Sequence, residues 1–75
     1  MTNITKQTML CWIQTSIKWA IENSDKAYES IRSRLLDDGF SVNGWHYHQC
    51  KKLMRLHKQE LFDMALDVVE IMYAN

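Results

Sequence analysis

The chain has 75 residues, 47% apolar and 24% charged, with nine basic and nine acidic side chains, two glycines and no proline. Those values exclude a multidomain protein, a collagenous or proline-rich segment and a disordered polyelectrolyte, leaving one domain over residues 1–75. A fold this small buries only about 60% of the surface its unfolded chain exposes, so it needs close helix packing, a partner or a cross-link.

Two cysteines, Cys11 and Cys50, permit one bridge at most. This is far from the dense spacing of a secreted disulfide scaffold and points to free thiols in a cytoplasmic protein. The opening Met-Thr-Asn-Ile-Thr-Lys has no basic stretch ahead of a long apolar run, and Gln14, Thr15, Ser16 and Lys18 interrupt the apolar segment that follows. A leader is therefore not expected. No stretch approaches the roughly 18 to 20 apolar residues of a membrane span, so no membrane partner is expected either.

The first helix is predicted over residues 4–22. Met9, Ile13, Ile17, Ala20 and Ile21 fall along one face, and Trp12 and Trp19 flank that stripe. Its apolar sector therefore covers more than half the circumference. A break is predicted at Glu22-Asn23-Ser24-Asp25, where the Ser24 hydroxyl can accept from the free amides of a new helix and Asp25 complements its positive end. The second helix, over 25–38, turns Ala27, Tyr28, Ile31 and Leu35 inward and Lys26, Glu29, Arg32 and Asp37 to water. Both glycines lie in Asp37-Asp38-Gly39-Phe40-Ser41-Val42-Asn43-Gly44, the main corner. Gly39 can take the left-handed conformation that ends a helix, with Phe40 folding back, and Ser41 or Asn43 is placed to cap the next helix.

The third helix is predicted as one rod over about 45–73, with a break near His57 as the alternative. Tyr47, Cys50, Met54, His57, Leu61, Met64, Val68 and Ile71 recur at steps of three and four, a heptad-like seam. At 1.5 Å per residue the rod would be roughly 42 Å long. Beside the seam, Phe62, Leu66, Val69 and Tyr73 form a second apolar row in the C-terminal half, whereas Lys51, Lys52, Arg55 and Lys58 occupy the corresponding sector earlier. Those four cations have no acid among residues 40–58, and Glu60, Asp63, Asp67 and Glu70 have no cation among residues 59–75. Net neutrality thus conceals a dipole, with its acids unfavourably placed at the helix C-terminus.

Candidate chemistry is sparse. His46, His48 and Cys50 resemble metal ligands in spacing, but on a helix His48 projects about 200° from His46, so the three cannot converge and no metal or cofactor is expected. His57 replaces an aliphatic residue in the seam, where a buried imidazole could fix register or act as a pH-sensitive latch. There is no glycine-rich phosphate loop, no nucleophile on a tight turn and no His/Cys pair with an orienting group; an enzyme acting on a small-molecule substrate is not expected.

The sequence therefore predicts an all-α three-helix bundle or helical hairpin, dimeric because a short second helix leaves apolar surface on the first and third uncovered. Its expected role is a protein-binding module, an inhibitor or regulator of bacterial or phage accessory type that occludes a surface of a larger partner. Phe62, Leu66, Val69, Tyr73, Trp12 and Trp19 are the expected partner-binding residues, since aromatic and large aliphatic side chains give contact area with few rotamers to freeze. The competing reading is a helix-turn-helix-like DNA-binding regulator, with Trp45, His48, Lys51, Lys52, Arg55 and Lys58 as its nucleic-acid contacts. A corner longer than the usual turn and a pI near 6.8 count against it.

Overall fold

A computed structural model describes residues 3–40 and 47–75, with side chains from residue 51 onward in the second stretch. The described residues form helices α1 (Lys6–Asn23), α2 (Asp25–Asp37), α3 (Tyr47–Met54) and α4 (Lys58–Ala74), with no strand among them. The all-α expectation holds.

Local chemistry sets the ends of the first two helices. The Thr5 hydroxyl accepts from the Thr8 amide at 3.1 Å to open α1. Ser24 then serves both neighbours: its amide donates to the Ala20 carbonyl at 2.9 Å, closing α1, and its hydroxyl accepts from the Ala27 amide at 3.1 Å, opening α2. At the other end of α2, Gly39 takes φ +86. Its amide donates to the Leu36 carbonyl at 2.9 Å and that of Phe40 to the Leu35 carbonyl at 2.9 Å, the paired bonds of a Schellman cap. Phe40 returns to the core, as the sequence predicts. The expected caps Ser41 and Asn43 lie outside the described residues, as do His46 and Trp45; the side chains of His48 and Cys50 are likewise outside them.

The core is built from one face of each helix. Met9, Ile13 and Ile17 of α1 meet Ala27, Ile31 and Leu35 of α2 and Leu61, Met64 and Val68 of α4, with Leu53 and Phe40 closing the ends. Full burial of each large aliphatic side chain contributes about 1.5 to 3 kcal/mol, so this cluster carries most of the stability. α1 packs most extensively against α4. Ile21, expected inward, is 62% exposed, while Leu10 on the same edge of α1 is buried: neighbours cover that edge at one end only.

The long third helix is the main correction. α3 ends at Met54 and α4 begins at Lys58, and the molecule's largest dimension is 31 Å, too short for the predicted rod. Bonds from the Arg55 and Leu56 amides to the Lys52 and Leu53 carbonyls, each 3.1 Å, tighten the last turn of α3. His57 then takes extended backbone (φ −60, ψ 147), and its carbonyl accepts from the Leu61 amide at 3.0 Å to start α4. The cause is packing phase. In an unbroken helix Leu56 would lie roughly 140° from Leu61 around the axis, unable to share its core face, whereas Leu53 would stand about 20° from Met64. With the break, Leu53 is fully buried and Leu56 packs against the core. Met54 and His57, the seam positions of the rod, are exposed instead, so His57 is neither a buried register element nor a buried latch. Lys6 of α1 fixes the junction by donating from Nζ to the Met54 carbonyl at 2.9 Å, satisfying a free carbonyl at the negative end of α3.

Arg34 ties α2 to α4 on another side. Its Nε donates to Asp67 Oδ2 and its Nη1 to Asp38 Oδ2, both at 2.7 Å. The carboxylates of Asp38 and, next, Asp67 hold the guanidinium pKa above its ordinary value.

Candidate functional site

α4 turns Leu61, Met64, Ala65 and Val68 into the core. Stepping by 100° per residue, Phe62, Leu66, Val69 and Tyr73 then fall in a sector centred roughly 110° from Leu61, where Phe62 packs against the core edge and Leu66 and Tyr73 stay exposed. α1 lies alongside with Trp12, Thr15 and Ser16. Between the two helices runs an open groove of about 380 Å³, walled by Trp12, Thr15 and Ser16 on one side and Leu66, Val69, Met72 and Tyr73 on the other. The Trp12 and Phe62 rings meet with centroids 6.4 Å apart and planes inclined at 52°, a tilted aromatic contact beside the groove. Its walls stay partly uncovered: Leu66 is exposed and Tyr73 is 80% exposed.

Ser16 is the polar anomaly of this wall. It is 1% exposed, and its hydroxyl has no hydrogen-bond partner. An unpaired buried hydroxyl costs roughly 1 to 3 kcal/mol, a penalty that an alanine at the same place would not incur.

The border of the groove on α4 is acidic. Asp63 and Glu70 lie about 40° to 60° beyond Leu66 around the helix and are both exposed. Asp63 accepts from Gln59 Nε2 at 2.9 Å, a neutral donor, while Asp67, further round, is the carboxylate engaged by Arg34. On α1 the corresponding border carries Glu22 about 20° and Lys18 about 60° beyond Thr15, both exposed.

Of the residues the sequence assigns to partner binding, Trp12, Leu66, Val69 and Tyr73 converge on the groove, and Phe62 flanks it through Trp12. Trp19 is half-buried against the core and is not among the groove walls. Thr15, Ser16 and Met72 complete the site and were not singled out by sequence. Thr15 and Ser16 follow from their place beside Trp12 on α1, but Met72 lies between the two rows of α4 and gives no periodic signal.

The basic segment is divided. Lys51 and Lys52 belong to α3, Arg55 to the junction and Lys58 to the first turn of α4, all exposed. The break removes the single helical face on which the four would align. Among the described residues no group of three His, Cys, Asp or Glu side chains is arranged to hold a metal ion, Cys11 is a free, exposed thiol, and no helix is long and apolar enough to cross a membrane. The chain matches no protein-family model, no curated protein and no solved structure.

Proposed function

We propose that this chain is a small, non-enzymatic protein-interaction module, an inhibitor or regulator that acts by covering a surface of a larger polypeptide with its α1–α4 groove. The observation that supports this reading is the groove: an apolar channel walled by Trp12, Leu66, Val69 and Tyr73 that the chain's own helices leave open. Isolated exposed apolar residues are ordinary on protein surfaces, but aromatic and aliphatic side chains converging on one concavity mark docking sites. Trp12 and Phe62 hold each other in place, so a partner meets a preformed wall and little rotamer entropy is lost on binding.

Site-specific photo-crosslinking tests the reading. A photoreactive amino acid at Leu66 or Tyr73 is expected to yield polypeptide adducts in cells expressing the full chain, and the same group at Ser30 or Ser33, exposed on α2, is expected to yield none. Equal labelling from both faces, or none from either, would reject the groove as a docking surface.

A further inference from the structure

Charge decides which polypeptide suits the groove. Asp63 and Glu70 stand on its α4 border seven residues apart, about 10 Å along the axis, so they project side by side two turns from each other. Neither is in a described ion pair and residues 59–75 contain no cation, although Glu70 also lines a shallow surface hollow with Arg34 and Asp67. Glu70 also lies in the last turns of α4, where the helix dipole disfavours an anion. A partner carrying cations at this border relieves both costs.

A second copy of the chain does the opposite. A two-fold axis through the Leu66 turn sets Asp63 of each copy beside Glu70 of the other, so like charges meet twice as the apolar rows close. In that arrangement the α4 border opposes pairing of two copies while leaving the apolar walls available to others.

We infer that the α1–α4 groove binds a basic amphipathic helix of a different polypeptide, with apolar side chains at i, i+3 or i+4 and i+7 seated between Trp12 and Leu66, and Lys or Arg two turns apart against Asp63 and Glu70. The inference rests on the groove being a docking surface and names what docks there. Helix-in-groove recognition reads its ligand by that spacing. The length of the α4 wall, Leu66 to Tyr73, matches two turns of such a helix.

The test titrates the full chain, by calorimetry or by amide chemical shifts, with a short synthetic helix bearing leucines at that spacing and lysines on both flanks. A second probe carries glutamate in place of each lysine, and a third keeps the lysines with the leucine spacing scrambled. The basic probe is expected to bind with a Kd on the order of 10 μM, suited to a small transient interface. The glutamate probe is expected to bind at least about tenfold more weakly, and the preference to shrink as salt is raised. The double variant Asp63→Asn/Glu70→Gln, altered only at exposed positions, is expected to bind the basic probe about fivefold more weakly. Leu66→Ser with Tyr73→Ser is expected to abolish binding while preserving the helical circular dichroism.

Equal binding of lysine and glutamate probes, sensitive to Leu66→Ser, would overturn the charge assignment and leave the groove standing. Absence of binding by every probe would overturn both. A dimer in sedimentation equilibrium that Leu66→Ser dissociates and the basic probe does not would assign the groove to a second copy and also overturn the inference. Equal binding of the scrambled probe would reduce the interaction to unspecific charge attraction and reject it.

Discussion

The junction between α1 and α2 and the junction between α3 and α4 are both abrupt, yet they are specified in different ways. At the first, Ser24 satisfies an orphan carbonyl of α1 and an orphan amide of α2 with its own backbone and side-chain atoms. At the second no glycine, proline or capping side chain intervenes, and His57 makes no side-chain cap. That turn is imposed by packing, because Leu56, about 140° from Leu61 on a continuous helix, reaches the core only if the helix stops before Leu61. A break written in local chemistry is portable; one written in packing exists only while the core does.

The largest effect expected from this contrast is at Leu53. Leu53→Ala removes a fully buried side chain and is expected to cost about 2 to 5 kcal/mol, a large part of the stability of a domain this small. Hydrogen exchange at low temperature is expected to show α3 amides losing protection before those of α1 and α2; uniform loss through the molecule would mean that the second junction is no more dependent on packing than the first. Gly39→Ala comes next. No atom lies within 4 Å of the site of the added Cβ, so the cost is backbone strain at φ +86 alone, about 1 to 2 kcal/mol, read as a lower urea midpoint with an unchanged m-value. A neutral result would show that the cap is dispensable. The smallest effect is expected at Lys6→Met, which removes the bond to the Met54 carbonyl but keeps the apolar stem: about 0.5 to 1 kcal/mol, detectable as a modest fall in Tm. If it instead equals the loss at Leu53, the lysine and not packing governs the second junction.

The same distinction explains what could be read from the sequence. The cap at Ser24, the left-handed Gly39 and the inward face of α2 were legible because each depends on residues within one or two turns. The end of α3 was less so, because the three-and-four spacing runs through Met54 and His57 without interruption; the break near His57 stands only as an alternative, and Leu56, off that seam, is the residue that signals it. The α4 half of the site was legible as a second apolar row. Its pairing with Trp12 was not, since periodicity identifies an uncovered face without identifying which helix lies beside it. The missing partner of the Ser16 hydroxyl is equally invisible from sequence, being a property of the assembled wall.

The two walls of the groove come from opposite ends of the chain. α1 and α2, joined through a single residue, make local contacts that close quickly and involve little loop entropy, whereas the site exists only after α4 has docked. Recognition is thereby made conditional on completion: an intermediate holding only the first hairpin has Trp12 without an opposing wall. Any occupant of the groove joins the first and last helices and shifts the folding equilibrium toward the finished state, so the partner doubles as a latch on the architecture that recognises it.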